Sequence, residues 1–473
     1  MQPRPGASGC LMKGTYMKRN VITETYKDKQ FLKTAASIAV PVTLQMVLTT
    51  VTNMVDTMMI GKLGTATISA VGLANKYFFV FALLVFGVHS GSGILIAQFF
   101  GSNDHYHIRK TFGMGLLINL IAAAAYLLTA RFDPQFVMGI FTESTESVPI
   151  GVRYLRIVCF CYPIFGFTSI MSSFLRSTRQ VRVPVISSLV SIITNVFLNY
   201  CLIFGHFGFP EMGVEGAAIA TVIARVAECL ILVWFCFIRG KILPGKITDF
   251  FGWTKGFLKN FCSHSLPVIF NEMIWGLGTT LYFVAYGHID DNAVAAVTIS
   301  TTITDMLNTA GNGLSSAASV LLGNELGAGN LKKADDYAGK ILVLGLTIGL
   351  ACAGLLLLLR APLLTMFSVS EEVRDSAMKC LTIYAIALPL VFVSLINIVG
   401  ILRAGGDTKM CFLIDTAGVW FWAVPLAFLG SMVWKFPIHV IYGMVLTEEV
   451  IKSGTSFWRV SKRVWLRNLS KEV

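Results

Sequence analysis

Charged residues are scarce in this sequence. Only 14% of its 473 residues are Asp, Glu, Lys or Arg, and 55% are hydrophobic. Soluble domains carry about 25% charged residues. Roughly 260 hydrophobic residues are too many for a soluble core, whereas about a dozen membrane helices of ~20 apolar residues each would use ~240 of them. The composition therefore excludes a soluble protein and predicts a polytopic membrane protein.

The sequence also lacks the motifs of several function classes. It has no HExxH pair, no serine nucleophile elbow and no clustered metal ligands, so we expect neither an enzyme nor a cofactor. It has no phosphate-binding Walker loop, so uphill transport would need an ion gradient. The ten cysteines are scattered, with only Cys159 and Cys161 close together, which predicts buried thiols. The first twenty residues lack the apolar stretch of a secretory signal.

Apolar runs long enough to cross a membrane recur along the chain. The last is interrupted by Glu448 and Glu449. The predicted spans cover residues 35–60, 67–98, 110–131, 149–175, 183–205, 213–239, 262–287, 293–323, 337–360, 376–402, 410–431 and 436–457. The sequence therefore predicts an all-α integral membrane protein with twelve transmembrane helices.

Positive charges are concentrated on one side of this predicted bundle. Of the 38 Lys and Arg residues, 28 lie in the N-terminal arm, the even-numbered loops and the C-terminal tail, and four lie in loops on the opposite side. Because loops rich in Lys and Arg remain in the cytoplasm, both termini are predicted to be cytoplasmic. This explains the net charge of +12 without a nucleic-acid partner. The basic runs, such as Lys462-Arg463, are expected to contact anionic membrane lipids.

The two halves of the chain repeat one another at an offset of 226 residues, which becomes 227 after the fourth helix. The matched pairs include Pro41 and Pro267, Gly61 and Gly287, Gly87 and Gly313, Gly101 and Gly327, Pro163 and Pro389, and Arg176 and Arg403. Six helices per half give a parallel repeat about an axis along the membrane normal. The predicted organisation is an arm (1–33), a six-helix bundle (34–240), a linker (241–259), a second six-helix bundle (260–458) and a tail (459–473). Two facing bundles favour a central cavity and alternating access.

A polar stripe interrupts the first predicted helix. Its members are spaced by three and four residues and so share one face: Gln45, Thr49, Thr52, Asn53 and Asp56. A charged carboxylate in hydrocarbon costs at least ~2.5 kcal/mol, so Asp56 is expected to face a cavity and bind a cation or a proton. The alternative is an interfacial carboxylate near the headgroups or one that caps a neighbouring helix.

The fifth and sixth predicted helices offer partners for Asp56. Asn195 and Asn199 continue a polar row that begins at Ser187, and Thr221 lies on the sixth helix. Carboxylate, amide and hydroxyl oxygens suit Na⁺, whereas the carboxylate alone suffices for a proton. Hydrogen bonding between helices is an equally good explanation of the two asparagines.

The second half carries two further polar stripes. The seventh predicted helix has Glu272, Trp275, Thr279 and Tyr282 on one face, and the eighth has Asp305 near mid-bilayer. A carboxylate among aromatic faces suits an organic cation, because each cation–π contact contributes ~0.5–2 kcal/mol. Together with Gln45 and Asn53, these residues are the predicted substrate contacts. Ordinary helix packing with an aromatic residue at the membrane interface is the alternative.

Four segments of the sequence resemble the bacterial type of the MATE (multidrug and toxic compound extrusion) family. They read VDTMMIGKLG, NVFLNYCLIFGHFGFPEMGVEGAAIAT, GNELGAGN and LRAGGDTK. With the repeat, the resemblance covers about residues 31–469, and the NxxxNY spacing is similar to the NorM-like branch. It implies a transporter of the bacterial cytoplasmic membrane in which Asp56 couples transport to Na⁺ or H⁺, with Asn195, Asn199 and Thr221 at the same site. We expect it to act as a monomer.

The sequence thus favours an antiporter that exports amphipathic organic cations by alternating access. A flippase for a lipid-linked precursor, or an exporter of an unknown metabolite, is the alternative within transporters. A flippase would favour a basic central cavity, whereas the predicted interior holds carboxylates and few fixed cations. A channel would need a repeated selectivity ring, and the two halves differ at their acidic positions.

Overall fold

The computed structural model describes residues 21–142, 144–239, 246–367 and 369–471 and contains helices without strands in these ranges. The long helices are α1 (Lys29–Gly61), α2 (Thr65–Gly101), α3 (His105–Phe132), α4 (Ser147–Val158 and Cys161–Ser177), α5 (Arg182–Phe204), α6 (Gly213–Arg239), α7 (Lys255–Gly287), α8 (Asp291–Gly327), α9 (Leu331–Thr365), α10 (Glu371–Leu402), α11 (Thr408–Val433) and α12 (Ile438–Leu446 and Glu448–Ser461). Short helices cover Val21–Lys27, Pro134–Gly139 and Ile247–Phe250. Each predicted span falls on one long helix.

Nine helices of the described chain are long and apolar enough to cross a membrane, and α4, bent by 52°, makes ten. The other two, α8 and α12, are the most polar of the set. In α12, the two acids that interrupt the predicted span lie beside a lysine, since Lys452 Nζ is 3.2 Å from Glu448 and 3.4 Å from Glu449. Pairing with an opposite charge allows such residues to lie inside a helical bundle.

The helix boundaries follow capping residues. The Asp28 side chain accepts a hydrogen bond from Phe31 N over 2.9 Å, so α1 begins at Lys29, before the predicted bundle boundary at residue 34. Thr254 likewise accepts from Phe257 N over 3.1 Å, and α7 begins inside the predicted linker. Residues 1–20 of the predicted arm, residues 240–245 at the linker and residues 472–473 of the tail lie outside the described residues.

Helices α1–α6 form an N-terminal lobe and α7–α12 a C-terminal lobe. Each lobe has its own hydrophobic core, and two further clusters join the lobes, one around Phe31 and Trp465 and one around Phe112 and Phe261. Gln98 Nε2 also donates to Ala404 O across the lobes over 2.7 Å. The lobes are therefore tightly joined at the end of the bundle that carries both described termini.

The repeat predicted from the sequence is visible in these contacts between lobes. A Cβ atom at Gly101 would lie 2.0 Å from Asn324 O, and one at Gly327 would lie 1.9 Å from Gln98 O. The two glycines are 226 residues apart, and so are their partners. Only glycine allows the backbones of α2 and α8 to approach this closely. The same close contact is thus made twice, once from each lobe.

Candidate cation and substrate site

The first cavity lies within the N-terminal lobe and has a volume of about 480 Å³. Helices α1, α2, α4, α5 and α6 line it. Five of the predicted site residues are among its lining residues: Asn53, Asp56, Asn195, Asn199 and Thr221. The structure therefore brings together the three helices on which a cation site is predicted.

Asp56 is held in this cavity by amides from α5. Asn199 Nδ2 donates to Asp56 Oδ1 over 2.7 Å and lies 3.3 Å from the Asn195 amide group. The Asn195 amide fits best when rotated, with its nitrogen donating to the two Asp56 carboxylate oxygens over 2.8 and 3.2 Å. The same amide lies 3.4 Å from Thr221 Oγ1. Both asparagines are buried, whereas Asp56 is half-buried and reaches the cavity.

Acceptor oxygens at this site are not all used by hydrogen bonds. Asn199 Oδ1 is buried and has no hydrogen-bond partner among the described residues, and a buried acceptor without a partner is costly. Asp56 has hydrogen-bond partners, but its carboxylate forms no ion pair with any residue that the structure describes. One carboxylate with amide and hydroxyl oxygens suits a proton or Na⁺. The described residues contain no group of three or more His, Cys, Asp or Glu that would hold a metal ion of another type.

A hydrogen-bonded row connects this cavity with a second one. Arg225 Nη1 lies 2.9 Å from Glu228 Oε2, three residues further along α6. Glu228 also accepts from Ser188 Oγ over 3.1 Å, and Ser188 accepts from Gln45 Nε2 over 2.6 Å. Gln45 therefore points away from Asp56, although both lie on α1. Ser188, Arg225 and Glu228 line both cavities.

The second cavity, of about 510 Å³, lies between the lobes, beside their tightly joined end. It is lined largely by hydroxyl and amide side chains from α1, α2, α4 and α8. It also contains Arg176, in the last turn of α4, and His89 of α2. Arg176 is half-buried, and its guanidinium group has no hydrogen-bond or ion-pair partner among the described residues. The expectation of an interior with few fixed cations does not fit this cavity.

The predicted stripe on α7 is divided by the structure. Glu272 Oε1 lies 2.8 Å from Arg403 Nη2, and Tyr282 donates to Glu448 Oε2 over 2.9 Å. Both side chains are therefore engaged inside the C-terminal lobe. Trp275 is 40% exposed, and the Thr279 hydroxyl donates to Gly276 O of its own helix over 3.0 Å.

Asp305 is exposed, and its carboxylate has no hydrogen-bond or ion-pair partner in the described ranges. Neither cavity is lined by Glu272, Trp275, Thr279, Tyr282 or Asp305. Their assignment to substrate binding stays a prediction. Arg176 and Lys452 were not among the predicted site residues. The repeat identifies Arg176 as the equivalent of Arg403. The sequence does not show which carboxylate lies close to either arginine or to Lys452.

Comparison with known proteins shows the family. A sequence profile of the MatE family matches residues 41–201 and again 267–429, once in each lobe. The probable multidrug resistance protein NorM of Listeria innocua is 25% identical over 415 residues, which are 87% of this chain and 89% of that one. The probable multidrug resistance protein YoeA of Bacillus subtilis is 23% identical over 427 residues, covering 88% and 91%.

A solved structure supports the same fold. A MATE transporter in complex with MaL6 superposes with a TM-score of 0.83 at 18% identity, covering 93% of this chain and 96% of the other. This likeness confirms the predicted twelve-helix bundle, and the two profile matches cover more than half of the chain. The chain therefore belongs to the MATE family of efflux transporters.

Proposed function

We propose that this transporter is an antiporter that exports amphipathic organic cations in exchange for Na⁺ or H⁺. The observation that carries the proposal is the carboxylate of Asp56, which reaches a cavity and has amide partners but, unlike Glu228 in the same cavity, no ion-pair partner among the described residues. A site of this kind can be occupied by one monovalent cation at a time.

Asp56, Asn195, Asn199 and Thr221 are the proposed coupling residues. The asparagines orient the carboxylate through the bonds described above, and Asn199 Oδ1 and Thr221 Oγ1 offer further oxygen atoms. If the ion is Na⁺, these oxygens replace part of its hydration shell. If it is H⁺, the carboxylate alone accepts it.

Coupling follows from competition within one cavity. An organic cation that binds near Asp56 and the external ion both neutralise the same carboxylate, so each disfavours the bound state of the other. Asn53 and the apolar wall of the first cavity are proposed to contact the substrate, and Gln45 does so from the second cavity. Rocking of the two lobes would then expose the site to each side in turn.

The proposed location is the bacterial cytoplasmic membrane, with both termini in the cytoplasm. The excess of Lys and Arg on that side of the bundle supports this orientation. The curated relatives described above are bacterial. With this orientation the lobes are joined at the cytoplasmic end, and Asp56 lies toward the outer side.

A test uses proteoliposomes that contain the purified protein. Uptake of a fluorescent organic cation is measured under an imposed Na⁺ gradient and, separately, under an imposed H⁺ gradient. We expect one gradient to drive uptake in the wild type and neither to do so in Asp56→Asn. Uptake in Asp56→Asn that still follows the gradient would contradict the assignment of Asp56.

Export of a lipid-linked precursor is the second candidate. The observation that favours it is Arg176 in the cavity between the lobes, because a phosphate-bearing lipid would need a fixed cation there. No uptake of the organic cation with either gradient would favour this candidate.

A further inference from the structure

We propose that the cavity between the lobes binds an anionic group of the transported amphiphile, a carboxylate or a phosphate, and that Arg176 is its principal ligand. This inference deepens the proposed function, on which it rests for the view that the cavity is part of the transport path. It adds a preference for substrates that carry an anionic group in addition to their cationic part.

The charges that face the two cavities have opposite sign. The first cavity is lined by Asp56 and by the Arg225–Glu228 pair, which gives a net formal charge of −1. The second is lined by Arg176 and the same pair, which gives +1 when His89 is neutral. The two cavities share the lining residues Ser188, Arg225 and Glu228, so sites of opposite charge lie on either side of this row.

The repeat shows that a carboxylate is missing beside Arg176. Its equivalent in the C-terminal lobe, Arg403, is almost fully buried and lies 2.8 Å from Glu272. The position in α1 that corresponds to Glu272 is Met46, which has no charge. Equivalent arginines thus occur in both lobes, but only the C-terminal lobe provides the carboxylate.

The surroundings of Arg176 suit an oxygen-rich ligand. Hydroxyl groups of Ser172, Ser316 and Ser319 line the same cavity, together with the amide of Asn312. A guanidinium group binds a carboxylate or phosphate through two parallel hydrogen bonds, and hydroxyl groups can complete its shell. The volume of about 510 Å³ is within the range of ligand-binding cavities.

A matched pair of probes tests this proposal. One is a fluorescent aromatic amine that carries a carboxylate, and the other is its methyl ester. Binding of each is measured without any ion gradient, with the full-length protein in nanodiscs of phosphatidylcholine. We expect the wild type to bind the acid about tenfold more tightly than the ester. Arg176→Gln should lose this preference with little change in ester affinity, and Arg176→Lys should keep part of it.

Arg179→Gln is the control variant. Arg179 lies three residues from Arg176, is exposed and is 3.9 Å from Glu325. Its substitution removes the same charge outside the cavity, so this variant should keep the preference for the acid. Thermal melting of all variants reports whether they fold. Equal affinity of the wild type for both probes, or an unchanged preference in folded Arg176→Gln, would overturn the proposal.

Nanodiscs that also contain phosphatidylglycerol distinguish the two sources of the anionic group. If this lipid weakens binding of the acid by the wild type but not by Arg176→Gln, a lipid phosphate is a ligand of Arg176. If it has no effect, the carboxylate of a solute is the ligand. Failure of the proposed antiport is detected separately, as absence of gradient-driven uptake of the ester.

Discussion

Equivalent positions of the two lobes carry different chemistry. In the N-terminal lobe, Asp56 on α1 faces Thr221 on α6, and Arg225 follows one turn later on α6. In the C-terminal lobe the same three positions are Tyr282, Glu448 and Lys452, at offsets of 226 and 227 residues. Tyr282 donates to Glu448 over 2.9 Å, and Lys452 lies 3.2 Å from the same carboxylate. The carboxylate is therefore on the first helix of the N-terminal lobe but on the last helix, α12, of the C-terminal lobe, where the ammonium group of Lys452 pairs with it.

This difference separates a binding site from a structural pair. Amides hold Asp56, and they orient a carboxylate without cancelling its charge. Arg403 and Lys452 neutralise Glu272 and Glu448, so these acids have less need of an external cation. The two equivalent arginines also differ, because Arg403 pairs with Glu272 whereas Arg176 has no carboxylate partner among the described residues. We infer that the N-terminal lobe holds the coupling ion and the fixed cation Arg176, whereas the C-terminal lobe pairs its charges at the equivalent positions and lines the second cavity with hydroxyl and amide groups of α8.

The largest expected effect is on Lys452. Lys452→Met leaves the buried Glu448 and the half-buried Glu449 without their ammonium partner, which should lower the free energy of unfolding by about 3–5 kcal/mol. Thermal melting in detergent measures it. The control Lys379→Met removes an exposed pair with Asp375 and should cost at most about 1 kcal/mol. Equal melting temperatures of the two variants would contradict the structural role of Lys452.

The two equivalent arginines should differ in the same assay. Arg403→Gln leaves Glu272 without its partner and is expected to destabilise the fold by about 3 kcal/mol. Arg176→Gln removes a cation that has no carboxylate partner in the described residues and should cost about 1 kcal/mol or less. A large loss in Arg176→Gln would show that its charge is required for folding.

A smaller difference is expected between two equivalent hydrogen bonds. Gln45 donates to Ser188 over 2.6 Å, and Asn271, at the matching position of α7, donates to Asp415 over 2.9 Å. Bonds to charged groups contribute about 1.5–3 kcal/mol, and neutral ones about 0.5–1.5 kcal/mol. Asn271→Leu should therefore melt at a lower temperature than Gln45→Leu. The reverse order would show that Asp415 has little need of this donor.

The smallest effect concerns a contact across the lobes. Asp28 lies 2.7 Å from Lys340 of α9, and the hydrogen bonds from Lys340 and from Phe31 N lower the pKa of its carboxyl group. Its contribution to stability is therefore complete above its usual pKa of about 3.9 and is lost as the pH falls through the lowered value. Asp28→Asn should remove this part of the pH dependence, with a loss below about 1 kcal/mol at neutral pH. Melting curves at several pH values check it.

Much of the fold is predictable from the sequence because hydrophobic length and repeated Gly and Pro residues encode it locally. The offset between Gly101 and Gly327 predicts that two lobes pack alike, and the structure shows the matching backbone contacts. Asp56 is predictable as a functional residue because a charged carboxylate within an apolar helix is costly unless it faces a cavity or binds a cation or proton.

The contacts in the C-terminal lobe are not predictable in this way. Glu272 and Arg403 are far apart in sequence, and the spacing along α7 cannot show that an arginine of α10 neutralises the carboxylate. The polar stripe on α7 does not distinguish side chains that face a substrate from side chains that contact a neighbouring helix. The stripe on α1 likewise does not show that its residues face different cavities: Gln45 lines the second cavity, whereas Asn53 and Asp56 line the first.

The most direct measurement compares coupling in two variants that remove a carboxylate from different lobes. One is Asp56→Asn, and the other is the double variant Glu272→Gln/Arg403→Gln, in which both charges of the pair are removed so that neither is left buried alone. Gradient-driven uptake of the organic cation is measured in proteoliposomes that contain equal amounts of folded protein. We predict that Asp56→Asn loses the dependence of uptake on the gradient, by about tenfold or more, and that the double variant keeps it. Uptake that still follows the gradient in Asp56→Asn, together with its loss in the double variant, would place coupling in the C-terminal lobe and contradict this account.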